Sequence, residues 1–267
     1  MSEKPLKALF FDTFGTVVQW RGSVSKELAD ATHKALSDPS RDISTDLRQR
    51  AEALTASDWQ RFTAEWRKTY SIFTYTFDPS KRDFISVDQH HYNALKELLD
   101  KRGIKELFND KELWDLAFAW HRLDPWDDSA EGLVQLNQKF ITSTLSNGNV
   151  SLLEDLKSHG NLAFARLTSA EEFGAYKPSP QVYKGAAAAL GLEPGEVGMV
   201  AAHLYDLKAA KSCGFQKAIY VERDQEEAFT PEQIEQAKKE GYVDIWVGIH
   251  DGGFPEVARR LGITTKP

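Results

Sequence analysis

A short apolar run, Leu6 to Phe11, stands at the front of the chain, and the next strand-like run, the β-rich Phe140 to Leu145, comes only after a long polar stretch. The first run is bounded by the turn-forming Asp12-Thr13-Phe14-Gly15-Thr16, so it reads as a buried strand. Its near-continuous apolar character suits a strand covered on both faces, as in a parallel sheet. From about Val24 to Trp120 the pattern is helical instead. Ser25 to Leu36 has helical spacing, Trp59, Phe62, Trp66 and Tyr70 fall three or four apart on one face, Tyr92 to Leu99 repeats the pattern, and Leu113 to His121 makes a further helix. Pro79 and Gly103 are the expected breaks. The region reads as a helical subdomain inserted into something else.

After Pro125-Trp126 strands and helices alternate. Strands are expected at Phe140–Leu145, Leu162–Leu167, Val197–Ala202, Ala218–Val221 and Asp244–Val247, with helices at Ala130–Leu136, Leu152–Lys157, Pro180–Leu190 and Leu207–Cys213. This alternation predicts a parallel α/β sheet with right-handed crossovers. The 267 residues allow one or two domains at ~100–200 residues per domain. The net charge of −7 disfavours a general binder of nucleic acid or anionic membrane, since both need a basic field. One cysteine, Cys213, excludes an intrachain disulfide framework and fits a reducing compartment. The apolar run Ala8–Phe11 is too short for a signal-peptide core or a membrane span, so the expected address is cytoplasmic.

In an open parallel sheet, ligands bind beyond the carboxyl ends of the strands. Asp12, Ser146-Asn147 and Asp206 stand at such ends, and Lys177 follows the run ending near Leu167. A carboxylate nucleophile needs a nearby cation to stay ionised, and amides with a hydroxyl can hold an oxyanion. Each motif also has a plainer reading. Asp12 and Asp206 could cap helices, Ser146-Asn147-Gly148 could be a generic turn, and Lys177 could be a solvated lysine. The joint pattern outweighs these.

Asp12-Thr13-Phe14-Gly15-Thr16, Leu145-Ser146-Asn147-Gly148, Tyr176-Lys177-Pro178 and Asp206 resemble, in order, the four motifs of the haloacid dehalogenase superfamily. That resemblance implies a Rossmann-like parallel-sheet core, residues 1–17 with 128–267, and an inserted helical cap, residues 18–127. The superfamily's phosphatases carry a second Asp two positions after the nucleophile and an acidic pair for Mg²⁺ at the fourth motif. Here those places hold Phe14 and the single carboxylate of Ala201-Ala202-His203-Leu204-Tyr205-Asp206. A phenyl ring cannot donate a proton, and Mg²⁺ prefers oxygen ligands.

The 2-haloacid dehalogenase branch fits better, because a halide leaving group needs neither proton nor metal. Trp66-Arg67-Lys68 with Tyr70 resembles the segment that carries that branch's arginine, and Lys177-Pro178 with Val182-Tyr183 resembles its Lys-Pro…Val-Tyr stretch. The resemblance implies that Asp12 attacks C2 of a 2-haloalkanoate to form an ester, which water then hydrolyses to a 2-hydroxyacid. Arg67, Ser146, Asn147, Tyr183, Thr13 and Phe14 would bind substrate and halide. Thr16 would orient Asp12, and Lys177 and Asp206 would organise the carboxylate and the water. No metal and no cofactor are implied, and a homodimer is allowed. Well-known bacterial members have Ser-Ser-Asn where this chain has Ala201-Ala202-His203. His203 is therefore open to two readings, water activation or a hydrogen bond that holds the loop. Tyr205 is expected in the pocket wall, and Phe14, Trp20 and Tyr70 in the apolar substrate wall. His90-His91 and His121 show no metal-ligand spacing, and the acidic run Asp224–Glu227 reads as a solvated face. Arg67 and Lys177 are expected to supply the local positive charge that an anionic haloacid needs. The alternatives are a phosphatase of the same superfamily and a non-catalytic binding protein on the same fold.

Overall fold

A computed structural model of the chain describes residues 4–264. Five strands, β1 (Ala8–Phe11), β2 (Ile141–Thr144), β3 (Val197–Ala201), β4 (Lys217–Val221) and β5 (Ile245–Val247), pair in parallel in the order β2-β1-β3-β4-β5. The fold is thus α/β with one parallel sheet, as the alternation predicts. Every residue of β1 is buried, which is why its sequence is uninterrupted Ala-Leu-Phe-Phe rather than alternating.

The chain divides into two compact units. One is built from the residues up to Gln19 and from Asp124 onward, the other from Trp20–Leu123. The second unit holds helices α1 (Arg21–Ser37), α2 (Thr45–Glu52), α3 (Ala56–Tyr75), α4 (Val87–Lys101) and α5 (Asp110–Ala117), with a 3-10 turn at Phe118–His121. Thr55 starts α3 through a reciprocal cap with Asp58, and Asn109 starts α5 in the same way with Glu112. Trp59, Phe62, Trp66 and Tyr70 are all buried, so the stripe on α3 is the core face of this unit. His91 lies in the same core, stacked on Trp120 at 4.5 Å, and burial keeps its ring neutral.

The first unit adds α6 (Ser129–Leu136), α7 (Val150–His159), α8 (Pro180–Ala189), α9 (Leu204–Ser212), α10 (Pro231–Glu240) and α11 (Gly253–Arg260) to the sheet. Two sequence expectations need correction. Leu162–Leu167 is not a strand. It runs beside β2 with only isolated bridges, because past Arg166 the Thr144 hydroxyl takes over the pairing, donating to the Thr168 carbonyl and accepting from the Thr168 amide, and Asn161 turns the backbone at φ 48°. The helix expected at Leu207 begins three residues earlier at Leu204, capped at His203, so Asp206 sits in its first turn. Helices α2, α10 and α11 were not among the expected elements. The first two are mostly polar, and α11, although Phe254, Val257 and Ala258 fall at helical spacing on its buried face, follows Gly252 and has Pro255 in its first turn, where proline is tolerated. Among the described residues no helix is long and apolar enough to cross a membrane.

Candidate active site

The register of the sheet places the chemistry. Phe11 pairs with Thr144 of β2 and with Val200 of β3, so the three strands end level. Asp12, the Leu145-Ser146-Asn147 loop and the Ala202-His203 loop therefore leave the sheet side by side. The strand order reverses about β1, with β2 on one side and β3 on the other, and such a switch point opens a crevice beyond the strand ends.

Asp12 lies at the centre of the network. Its Oδ1 accepts a hydrogen bond from Lys177 Nζ at 2.8 Å, and its Oδ2 accepts from Thr16 Oγ1 at 2.8 Å and lies 2.9 Å from His203 Nδ1. Lys177 Nζ also donates to Asp206 Oδ2 at 2.5 Å, and Asp206 Oδ1 accepts from the Tyr183 hydroxyl at 2.6 Å. Asn147 Oδ1 accepts from the Lys177 backbone N–H at 2.7 Å, which fixes both the asparagine amide and the start of the lysine's loop. Ser146 Oγ accepts from Gly148 N–H at 3.1 Å. The Phe14 ring packs so closely over Gly148 that a Cβ there would stand 3.3 Å from it.

Burial by itself would raise the Asp12 carboxyl, but Lys177 and His203 outweigh it and hold the group well below the usual carboxylate range. Lys177 is likewise pulled upward, against its own desolvation, by Asp12 and Asp206. Burial would lower His203, yet its bonds to Asp12 and Glu226 raise it to about 9. Asp12 is thus a buried carboxylate and His203 an imidazolium at neutral pH. Burial and Asp12 push Asp206 upward, with Lys177 opposing them.

The expected residues fall into three groups. Asp12, Thr16, Lys177, His203 and Asp206 meet directly, while Ser146, Asn147, Thr13 and Phe14 lie on the same two loops. The Thr13 hydroxyl is buried and has no hydrogen-bond partner among the described residues. Tyr183 is fully buried, and its hydroxyl donates to Asp206. Arg67 belongs to the helical unit, where its guanidinium lies 4.3 Å over the Tyr70 ring and 5.8 Å from that of Trp20. Tyr205, expected in a wall, is 48% exposed beside His203. Lys177 does not supply surplus positive charge, because two carboxylates already match it.

Three residues escaped the sequence. Glu226, from the run expected to be a solvated face, is buried with Oε2 3.7 Å from His203 Nε2. Its carboxylate sits against Gly15 so closely that a Cβ there would be 2.1 Å from Oε2, at a backbone φ of +82° that glycine adopts freely. Glu227 Oε2 also turns inward and accepts from Leu204 N–H. Arg223 is buried and donates to the Thr16 carbonyl. A carboxylate facing a histidine that follows a neighbouring strand leaves no local pattern, and the charge run around it resembled a wet loop.

The donor set does not fit a Mg²⁺ ion. Both oxygens of Asp12 are held by cations and a hydroxyl, and Lys177 Nζ stands between the two acids that would have to share the metal. Among the described residues no group of three or more His, Cys, Asp or Glu side chains is arranged to hold a metal.

Comparison with known proteins gives the chain a family. The model of the haloacid dehalogenase-like hydrolase family matches residues 6–214. The (S)-2-haloacid dehalogenase 1 of Pseudomonas sp. (strain CBS-3) is 27% identical over 234 residues, covering 86% of this chain and 91% of that one. The (S)-2-haloacid dehalogenase of Xanthobacter autotrophicus is 28% identical over 83% of this chain and 77% of its own. The crystal structure of an L-2-haloacid dehalogenase superposes with a TM-score of 0.77 at 29% identity, covering 96% of this chain and 100% of that one. A defluorinating L-2-haloacid dehalogenase gives 0.75 at 28% identity, covering 96% and 95%.

Proposed function

The chain belongs to the haloacid dehalogenase-like hydrolase family, and we propose that it hydrolyses short 2-haloalkanoates, in the (S) configuration where C2 is chiral, to 2-hydroxyalkanoates through an ester on Asp12. The observation that carries this reading is the buried Asp12 carboxylate, ionised between Lys177 and His203, with Phe14 where a phosphatase would need its proton donor. The relatives named for (S)-2-haloacids support the substrate class.

In the first step an Asp12 oxygen attacks C2 from the side opposite the halogen. The C–O bond forms as the carbon–halogen bond breaks, the halide leaves with the bonding pair, and C2 inverts. Ser146, the Thr13 hydroxyl and nearby backbone amides would hold the substrate carboxylate, and Arg67 and Asn147 the departing halide. In the second step water adds to the side-chain carbonyl of the ester. Lys177 and His203, already placed on the two Asp12 oxygens, stabilise the charge that builds there. Ester formation also removes the Asp12 charge that keeps His203 protonated. The imidazole can then shed its proton and take one from water, with Glu226 behind it. The balance is one water consumed and one halide and one proton released.

The test is halide release from (S)-2-chloropropionate and chloroacetate with and without EDTA, followed by one turnover in H₂¹⁸O. Label in Asp12 and undiminished activity in EDTA are expected. An active Asp12→Asn enzyme, or label in the product alone, refutes the ester.

A further inference from the structure

The loop that carries Asp12 closes on itself before it leaves the sheet. The Val17 and Val18 amides both donate to the Thr13 carbonyl, at 2.9 and 3.2 Å, and the Gly15 amide donates to the Val18 carbonyl at 2.8 Å. The three carbonyls that follow one another outside this turn are each held from a different direction. Gly15 O accepts from Trp126 Nε1 at 3.0 Å, and Thr16 O accepts from Arg223 Nε at 3.1 Å. Val17 O accepts from Ser129 Oγ at 2.7 Å and from the Trp126 amide at 3.0 Å.

Arg223 is the member of this set brought in from another part of the sheet, two residues past the end of β4. It is itself locked. Its two terminal nitrogens donate to the two oxygens of Asp128 at 2.5 and 2.9 Å, and Asp128 Oδ2 also accepts from the Phe254 amide at 2.7 Å. The Phe254 and Trp126 rings lie 5.0 and 5.3 Å from the guanidinium carbon. A Cβ on Gly253 would come within 2.0 Å of Asp128 Oδ2, so the carboxylate reaches its place only because glycine is there. A bidentate pair this buried is a fixed fork rather than a mobile surface contact.

We propose that Arg223 is a positioning residue for the alkylation step, acting through Thr16. The Thr16 carbonyl is held from outside by Arg223, and its hydroxyl, facing inward, donates to Asp12 Oδ2 at 2.8 Å while accepting from the Ala202 amide at 2.9 Å. One residue therefore links the guanidinium to the attacking carboxylate. Back-side displacement needs that carboxylate on a narrow approach line, and a misplacement of ~1 Å can cost ~100-fold in rate. Trp126 and Ser129 secure the carbonyls on either side.

This inference rests on Asp12 being the nucleophile. The parent enzyme must first release halide and gain the mass of a substrate residue on Asp12 in a single turnover of (S)-2-chloropropionate; without that, the dehalogenase reading itself falls. Given it, Arg223→Met is compared with the parent by rapid-quench halide release, with competent sites counted from the alkylated protein. Per competent site, alkylation is expected to slow about 10- to 100-fold, with KM for the haloacid held within about threefold and added guanidinium ion restoring part of the rate. A merely structural arginine would change the number of competent sites and leave the rate at each one alone, and that result overturns the proposal. Should Arg223→Met fail to fold, Trp126→Phe keeps the ring and removes the donor to Gly15 O. A loss of about threefold or more per site supports the clamp, and an unchanged rate overturns it.

Discussion

Replacing His203 by glutamine should change how stability depends on pH, and the structure sets the size of the effect. His203 is 5% exposed, 2.9 Å from Asp12 and 3.7 Å from Glu226. Burial works against its charge, and the two carboxylates more than offset this, raising it from the ordinary 6.5 to about 9. A group whose folded pKa is raised contributes stability that is fully present below the unfolded pKa. That contribution is lost as pH climbs from about 6.5 through about 9. At ~1.4 kcal/mol per pH unit the gap is worth ~3 kcal/mol. The depressed Asp12 carboxyl acts in a separate window, since its stabilisation fades only as pH falls below the ordinary carboxylate range. Urea unfolding of parent and His203→Gln from pH 6 to pH 10 measures the effect. Lysines and tyrosines that titrate at high pH are common to both proteins and cancel in the difference. The parent should lose ~3 kcal/mol relative to the variant across that range. Two stability curves that run parallel would mean that His203 carries no extra proton in the fold, and the charge assignment of the site would be wrong.

Two further outcomes follow from the same network. Lys177→Met removes the cation between Asp12 and Asp206 and should cost ~3–5 kcal/mol near neutral pH, seen as a lower melting temperature. The deficit should shrink toward acid as the two carboxyls come to share a proton, and halide release should fall ~100- to 1000-fold. Gly15→Ala forces a side chain onto φ +82° and into the Glu226 carboxylate. Its expected cost is ~1–3 kcal/mol by thermal unfolding, together with a weaker pH dependence of the kind described for His203, because Glu226 must move away.

The centre of the sheet was legible because β1 and β3 are short runs buried along their whole length, and burial on both faces dictates an apolar composition, whereas β2, Ile-Thr-Ser-Thr, was legible only as β-prone. The α3 stripe was legible for the parallel reason that one helix face is the core of its unit. Leu162–Leu167 misled for a physical reason as well. It is apolar and β-prone, yet just past its end the Thr144 hydroxyl bonds the Thr168 amide and carbonyl in place of a backbone ladder, and whether a segment joins a ladder depends on its neighbour. Tyr183 shows the same limit at the level of a single group. Its presence could be read beside Lys177, but the partner of its hydroxyl is Asp206, on an element that follows β3.

By itself, the order of strand ends in the sequence determined which residues could meet. Asp12, Ser146-Asn147 and Asp206 each close a strand or follow one, and a parallel sheet brings such ends to one edge. Phe14 in place of a second acid, and one carboxylate at the fourth motif, are what the sequence offered against a metal-bound phosphate. Only the tertiary structure decided the charges. Lys177 proved to be matched by two acids, and His203 to be a cation held by Asp12 and a glutamate that looked solvent-exposed. It also revealed Arg223, Trp126 and Ser129 around the Asp12 loop. Protonation and the holding of a loop depend on distances of about 3 Å between groups far apart in the chain, and no local pattern of residues records those distances.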